Sequence, residues 1–378
     1  MTTLLPRLPR RTGAGLLSSA RPLRMLEALA TPHGIDRYLE LVSPLLTVRE
    51  LRAAVVDVRR STADSVTLTL RPTRQWRGFQ AGQFVSVTVD IDGVRRTRCF
   101  SPASSQHRAD GLVELTVKAH ADGLVSRYLF EHARPGLVVG LSQAGGEFRL
   151  PAQRPRRVLL ISGGSGITPV LSMLRTLCDE AERGEYDGEV TLLHYARSAS
   201  DVPYTAELDE LAGRDNVRIV RVYTSDDSGE LTGRLDESHL AAVAPWFAEG
   251  ETFVCGPASL HDAVRELYET RGIAERLHVE EFRPSLPGIA DPGTATGTVT
   301  FARSDVRAAN SGATLLEQAE AAGLRPEHGC RMGICFSCTQ VRTSGCTRDV
   351  RSGETNSDPD TEIQLCVSVP VGDVELAL

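Results

Sequence analysis

Four cysteines near the C-terminus have the spacing of metal ligands. Cys330, Cys335 and Cys338 follow a Cys-x4-Cys-x2-Cys pattern, and 27 residues separate Cys338 from Cys366. This is the ligand spacing of a plant-type [2Fe–2S] cluster, in which four thiolates bind two irons. Four cysteines can also bind zinc, but structural zinc sites usually consist of two short cysteine pairs, and here the fourth cysteine stands alone. The spacing therefore predicts an iron–sulfur cluster, with zinc as the alternative.

Two short motifs within residues 51–150 could bind a flavin. Residues 98–101, Arg-Cys-Phe-Ser, directly follow a strand-like run. An arginine can hold a phosphate, an aromatic ring can lie against a flavin, and a serine can hydrogen-bond its reactive edge. Residues 123–126, Gly-Leu-Val-Ser, open an amphipathic helix whose N-terminal N–H groups suit a pyrophosphate. Arg98 alone could also be a surface cation, so the prediction depends on both motifs together.

A glycine-rich loop at residues 163–169, Gly-Gly-Ser-Gly-Ile-Thr-Pro, follows an apolar strand and precedes a helix. Doubly wound sheets bind nucleotides at such a position, the carboxyl end of the first strand. The loop lacks the Gly-Lys-Ser/Thr ending of a P-loop, and Pro169 replaces the last glycine of the dinucleotide fingerprint. We expect Thr168 to cap the helix and Pro169 to be its first residue, leaving N–H groups open to a pyrophosphate.

The elements around these motifs divide the chain into parts. Residues 51–150 contain about six short, valine-rich runs with turn signals between them, which predicts a small antiparallel barrel. Residues 151–285 alternate strands and helices, which predicts a parallel, doubly wound sheet. Residues 286–296 have the composition of a linker, and residues 297–378 form an α+β unit that carries the cysteines. Residues 1–50 form a basic extension in which we expect short helices.

Composition excludes several classes of protein. The chain has 378 residues, 41% hydrophobic content and a net charge of −7, which describe a globular protein and argue against nucleic acid binding. No apolar run is long enough to span a bilayer. The cysteines outside the cluster motif are scattered, so we expect no disulfide framework and a cytoplasmic location. Residues 1–50 carry 7 Arg against 4 acidic residues, so peripheral contact with the inner face of the membrane is left open.

Together these residues resemble the ferredoxin–NADP reductase superfamily with a C-terminal ferredoxin domain. The chain is most similar to the actinobacterial NADPH reductases that serve membrane acyl-CoA desaturases, through residues 31–45 and the ending at residues 366–373. The resemblance implies a multidomain protein with a flavin-binding antiparallel β-barrel, an α/β nucleotide-binding domain with a parallel sheet, and an α+β ferredoxin domain of the β-grasp type. Arg98 and Ser101 match the family's Arg-x-Tyr-Ser motif, but Phe100 replaces the tyrosine and loses its hydroxyl contact to the flavin.

The resemblance also assigns roles to single residues. Ser101 is expected to hydrogen-bond the N5 region of the flavin, Cys255 to border the hydride path, and Glu281 to approach the flavin as the acid. Cys255 could instead be a small buried residue at a strand end. The residues assigned to cofactor binding are Arg98, Cys99, Phe100, Ser101, Gly123, Ser126, Gly163, Gly164, Gly166, Thr168, Arg197, Ser198, Cys255, Gly256, Pro257 and Phe282. The expected cofactors are FAD in preference to FMN, a [2Fe–2S] cluster, and NADPH in preference to NADH.

The preference for NADPH comes from the end of the second strand of the nucleotide domain. An acid there would bind a ribose 2′-OH and favour NADH, whereas Arg197 and Ser198 suit a 2′-phosphate. A charge-assisted contact of this kind favours NADPH by about ten- to a hundredfold. The predicted reaction carries electrons from NADPH through flavin and cluster to an acceptor protein.

Two kinds of acceptor protein are expected from the resemblance. The leading acceptor is a membrane fatty acyl-CoA desaturase, and the alternative is a cytochrome P450 or a Rieske or di-iron oxygenase. A non-enzymatic iron–sulfur redox sensor is the alternative from another class, although no DNA-binding helix pair accompanies the cluster.

Overall fold

The computed structural model describes residues 43, 45–47, 50–120, 123–226, 228–282, 295–329, 331, 333 and 336–378. Within residues 1–50 it describes only a short turn, in which Leu46 N donates to Ser43 O at 2.9 Å. The short helices and the membrane contact predicted for this segment lie outside the described residues. No helix among the described residues is both long and apolar enough to cross a bilayer.

The first sheet has six strands in the order β4-β3-β6-β1-β2-β5, and its neighbouring strands are antiparallel. Its elements are β1 (Arg52–Thr62), β2 (Ser65–Pro72), β3 (Val85–Ile91), β4 (Val94–Phe100), β5 (Val113–Lys118), α1 (Leu124–His132) and β6 (Val138–Leu141). Valines alternate with polar residues along β3, so Val85, Val87 and Val89 point into the core. A bridge between Pro102 and Leu115 brings the two edge strands together, which closes the barrel.

The second sheet is parallel throughout and has the order β10-β9-β8-β7-β11-β12. Its elements are β7 (Arg157–Gly163), α2 (Ile167–Glu182), β8 (Glu189–Ala196), α3 (Thr205–Leu211), β9 (Val217–Tyr223), β10 (Leu231–Thr232), α4 (Glu237–Val243), β11 (Glu251–Cys255), α5 (Ala258–Thr270) and β12 (Leu277–Glu280). Apolar clusters cover both faces, one beneath α2 and α3 and the other beneath α4 and α5. The strand order reverses between β7 and β11, and such a switch point is where open α/β sheets bind ligands.

The third sheet has the order β14-β13-β18-β15-β16, and β17 pairs with β15. Its elements are β13 (Thr298–Phe301), β14 (Val306–Ala309), α6 (Leu315–Ala321), β15 (Thr339–Asp349), β16 (Thr355–Asn356), β17 (Thr361–Gln364) and β18 (Ser368–Leu376). A capping box between Thr314 and Glu317 fixes the start of α6, whose Leu315 and Leu316 enter the core. These three sheets confirm the predicted fold class.

Candidate functional site

The first flavin motif lies at the end of β4 and on the turn that follows it. Phe100 ends β4 and packs against the barrel core, and Cys99 Sγ lies 3.4 Å from Ser86 Oγ. Ser101 is 2% exposed, and its Oγ has no hydrogen-bond partner within the part of the chain that the structure describes. A buried hydroxyl without a partner is costly, so the position fits a bound group that supplies one.

Arg98 joins this motif to the loop that carries the cluster cysteines. Its Nη1 donates to the carbonyl oxygens of Thr97 and Gly329, each at 2.8 Å, and Gly329 directly precedes Cys330. Burial, reinforced by the nearby cation Arg331, lowers the pKa of Arg98. The guanidinium therefore holds the flavin motif and the cluster loop together. Its predicted contact with a flavin phosphate stays a prediction.

The second flavin motif opens helix α1. Gly123 is the N-cap and makes no side-chain hydrogen bond to the N–H groups of the first turn. Ser126 Oγ donates to Gly123 O at 3.2 Å and accepts from His120 N at 3.5 Å. A Cβ on Gly123 would lie 2.2 Å from Ser126 Oγ, so a larger residue would require the Ser126 side chain to move. The exposed helix N-terminus fits the phosphates of a flavin nucleotide.

The glycine-rich loop leads from β7 into α2 through a short 3₁₀ turn at Gly164–Gly166. Gly164 has a φ of 53° and open space around its Cα, so the backbone there is accessible to a ligand. The predicted N-cap role of Thr168 is wrong. Gly166 caps the helix, because its right-handed conformation lets the 3₁₀ turn continue into α2 at Ile167. Thr168 is the second helical residue and donates from Oγ1 to Ser165 O at 3.2 Å.

The glycine-rich loop contacts the Cys-Gly-Pro motif at residues 255–257. A Cβ on Gly166 would lie 2.0 Å from the carbonyl oxygen of Cys255, and one on Gly163 would lie 2.7 Å from Pro257 Cδ. Cys255 is fully buried, and burial, with a further contribution from Glu280, raises the pKa of its thiol. The fold thus brings two separate sequence motifs together at the switch point of the sheet.

The acid that faces this point is Glu280, a residue that the sequence analysis did not single out. Glu280 lies opposite Cys255 in the β11–β12 pair, and its Oε2 is buried without a hydrogen-bond partner within the described residues. Burial raises the pKa of Glu280 to about 8. Glu281, the acid that the resemblance assigns to the flavin, accepts from Arg265 Nη2 at 2.6 Å, and its role stays a prediction. Phe282, predicted beside it, packs partly buried against the core beneath α2.

Helix α2 also fixes the turn that follows the first flavin motif. Ser172 Oγ donates to Ser104 O at 2.7 Å, and Arg175 Nη1 donates to Ala103 O at 2.7 Å and to Glu114 Oε1 at 2.8 Å. The same helix begins at the glycine-rich loop. It therefore sets the position of the nucleotide loop relative to Ser101, which a direct transfer between nicotinamide and flavin requires.

Two of the four predicted cluster ligands can be placed. Cys338 and Cys366 are 1% and 5% exposed, and their Sγ atoms lie 3.3 Å apart. This buried pair of thiols fits a soft metal centre held by thiolates. Cys330 and Cys335 lie outside the described residues. Between them, Gly333 has a φ of 74°, and a Cβ there would lie 2.5 Å from Arg351 Nη1, so glycine is required.

The predicted 2′-phosphate site lies at the end of β8 and is occupied by a carboxylate of the chain itself. Arg197 Nη2 donates to Asp201 Oδ1 at 2.7 Å, and Ser198 Oγ donates to Asp201 Oδ2 at 2.9 Å. Burial opposes ionisation of Asp201, but these two hydrogen bonds outweigh it and hold the pKa of the carboxyl below 3.8. Arg197 is 69% exposed, so it is accessible to a ligand.

Three family models match successive parts of the chain. The Oxidoreductase FAD-binding domain matches residues 53–150, the Oxidoreductase NAD-binding domain matches residues 160–266, and the 2Fe-2S iron-sulfur cluster binding domain matches residues 299–371. Each match contains one of the sites described above. The first contains both flavin motifs, the second contains the glycine-rich loop, and the third contains the four cysteines.

Relatives extend this similarity to the whole chain. An NADPH oxidoreductase of Mycobacterium tuberculosis is 38% identical over 98% of this chain and 96% of its own length. The glycine betaine monooxygenase reductase subunit of Pseudomonas aeruginosa is 30% identical over 78% of this chain and 86% of its own length. The solved structure of a phthalate dioxygenase reductase shares the fold, with a TM-score of 0.58 and 24% identity over 87% of this chain and 98% of that one. The chain therefore belongs to the ferredoxin–NADP reductase superfamily with a C-terminal ferredoxin domain, and it is an NAD(P)H-dependent flavoprotein iron–sulfur oxidoreductase.

Proposed function

We propose that this protein passes electrons from NADPH through FAD and a [2Fe–2S] cluster to a membrane fatty acyl-CoA desaturase. The observation that supports the path best is the hydrogen bond from Arg98 to Gly329, at 2.8 Å. It joins the predicted flavin motif to the residue that precedes the first cluster ligand. An arginine has five N–H donors, so Arg98 can also contact a flavin phosphate.

The residues at the switch point have defined parts in this function. FAD, when bound, takes a hydride from the nicotinamide and releases electrons singly, and the cluster carries one electron at a time. Ser101 Oγ donates its hydrogen bond to the flavin edge, which gives the buried hydroxyl a partner. Glu280 holds its proton at neutral pH, since its pKa is about 8, and keeps a second negative charge away from the reduced cofactor. Cys255, fully buried, excludes water.

The choice of a desaturase depends on the N-terminal part of the chain. Residues 31–45 resemble the actinobacterial reductases that serve acyl-CoA desaturases. The M. tuberculosis NADPH oxidoreductase matches 98% of this chain, whereas the P. aeruginosa reductase subunit matches 78%. The longer match requires that most of residues 1–50 be shared with the mycobacterial relative. An oxygenase is the second candidate acceptor, because several relatives carry the names of oxygenase reductase components.

Reconstitution tests the acceptor. The purified holoenzyme, NADPH and a purified acyl-CoA desaturase in vesicles should convert a saturated acyl-CoA to the unsaturated product. A purified cytochrome P450 in the same assay should turn over much more slowly. Equal or faster turnover of the P450, with no desaturation, would make an oxygenase the acceptor.

The preference for NADPH is tested at Arg197. Arg197→Ala should lower the ratio of kcat/KM for NADPH to that for NADH by about ten- to a hundredfold, because a charge-assisted contact to the 2′-phosphate is lost. Arg214→Ala is the matched control, since Arg214 pairs with Glu182 elsewhere on the nucleotide domain. An unchanged ratio in Arg197→Ala would show that the phosphate binds at another position.

A further inference from the structure

The two side chains assigned to the 2′-phosphate already bind an anion. The carboxylate of Asp201 uses one oxygen for Arg197, at 2.7 Å, and the other for Ser198, at 2.9 Å. A hydroxyl has a single hydrogen to donate, so Ser198 cannot donate to a phosphate while it donates to Asp201. Asp201 lies in the 3₁₀ turn at Ala199–Asp201, which directly follows these two residues.

The surrounding charges do not favour a second anion beside Asp201. Lys118, the only lysine in the chain, acts on Asp201 electrostatically, but its Nζ is already paired with Asp64 Oδ2 at 3.1 Å. Asp201 in turn acts against a lower pKa of Asp64, because the two carboxylates repel each other. The four charges of Arg197, Asp201, Lys118 and Asp64 sum to zero. A 2′-phosphate would therefore add negative charge next to Asp201, where Arg197 and Lys118 are already paired with carboxylates, and the two anions would repel each other.

We propose that Asp201 is a specificity-determining residue that competes with the 2′-phosphate of NADPH for Arg197 and Ser198. The inference rests on the proposed NADPH site, and it adds that a residue of this site, Asp201, opposes the binding of NADPH. Ser198 must release Asp201 before it can donate to the phosphate, and Arg197 must share its charge between the carboxylate and the phosphate, so Asp201 weakens NADPH binding and leaves NADH binding unaffected. The chain therefore prefers NADPH less than its arginine alone would allow.

If Asp201 instead helped phosphate binding, by positioning Arg197 for the phosphate, its replacement would weaken the binding of the phosphate. The exposure of Arg197 argues against that role, because a side chain that is 69% exposed is not held in a single geometry by packing. The direction of the change in affinity therefore decides between the two roles.

Binding of 2′,5′-ADP and ADP to the oxidised holoenzyme tests the proposal without turnover. Asp201→Asn keeps the size of the side chain and removes its charge. It should tighten 2′,5′-ADP binding about tenfold, as expected when one like charge is removed at short range near a surface. It should leave the affinity for ADP unchanged. Asp209→Asn is the matched control, because it removes a carboxylate of the same domain that pairs with Arg221, and it should change neither affinity.

The outcomes separate this proposal from the NADPH site itself. The quantity to compare is the ratio of the affinity for 2′,5′-ADP to the affinity for ADP. The proposal is overturned if this ratio in Asp201→Asn is equal to or lower than the ratio in wild type. If Arg197→Ala lowers that ratio in the same assay, the NADPH site stands and only the role of Asp201 is lost. If Arg197→Ala leaves the ratio unchanged, both fall. In the double variant, the gain from Asp201→Asn should be smaller, because only the release of Ser198 and the loss of like-charge repulsion remain.

Discussion

Replacing Glu280 by glutamine should remove a pH-dependent term from the stability of the nucleotide domain. Burial raises the pKa of this carboxyl from 4.5 to about 8. Between these values the folded protein keeps the proton and the unfolded chain has lost it. The folded state then binds more protons, so the free energy of unfolding falls as pH rises through this window. Glutamine resembles the protonated acid in shape and does not titrate.

The magnitude follows from the width of the window. One pH unit within it corresponds to about 1.4 kcal/mol. Between pH 6 and pH 8 wild type should lose about 2 kcal/mol through Glu280, allowing for the flattening near the pKa. For a domain of this size that is a fall in Tm of about 4–8 °C. Thermal unfolding should be followed by circular dichroism at pH 6, 7 and 8. Between pH 6 and pH 8, the Tm of Glu280→Gln should fall by about 4–8 °C less than the Tm of wild type.

The comparison at each pH cancels the titration of all other groups. Glu281→Gln is the matched control, because Glu281 is adjacent in the chain but hydrogen-bonded to Arg265. It should keep the wild-type dependence of Tm on pH. Parallel curves for wild type and Glu280→Gln would refute the burial of an uncompensated carboxyl beside Cys255.

Three further substitutions, one of them a control, test the geometry of the site. Gly166→Ala should cost about 1–3 kcal/mol of stability and weaken NADPH binding, because the new Cβ would lie 2.0 Å from the Cys255 carbonyl oxygen. Gly164→Ala, which meets open space, should cost only about 1 kcal/mol for its positive φ, and equal losses in urea unfolding would contradict the predicted contact. Ser101→Ala should leave the flavin-free protein as stable as wild type or more so, since it removes a buried unpaired hydroxyl. In the holoenzyme it should slow flavin reduction in stopped-flow mixing about tenfold or more, and an unchanged rate would remove Ser101 from the site.

The sequence was sufficient to predict the first two sheets because their strands differ in hydrophobic period. Alternating valines mark the barrel strands, whereas the fully apolar run Val158–Ile161 marks a parallel strand that is covered on both faces. The cysteine spacing predicted a compact thiolate site, and Cys338 and Cys366 do meet in the core of the third sheet.

The sequence could not show that Glu280, the residue before the predicted acid Glu281, lies opposite Cys255. Glu280 ends β12 and Glu281 follows it, and the two neighbours differ in their partners: Glu280 Oε2 has none within the described residues, whereas Glu281 accepts from Arg265 Nη2. Only the register of β12 with β11 places Glu280 opposite Cys255.

Counter-ions were a second limit of the sequence analysis. Arg197 and Ser198 were interpreted from their types alone, whereas their hydrogen bonds to Asp201 depend on a local turn. The start of α2 was missed for a similar reason. Threonine and proline are usual at a helix N-terminus, but the glycines before them allow a 3₁₀ turn that begins the helix earlier.

Anaerobic addition of NADPH to the purified holoenzyme, followed by absorbance and electron paramagnetic resonance, tests the complete electron path. Wild type should bleach its flavin absorbance, develop the resonance of a reduced [2Fe–2S] cluster and reduce cytochrome c. Cys338→Ser should still bleach its flavin but develop no such resonance, and it should lose the reduction of cytochrome c. A wild-type protein that contains zinc and no iron, or a Cys338→Ser variant that reduces cytochrome c at the wild-type rate, would contradict the proposed path.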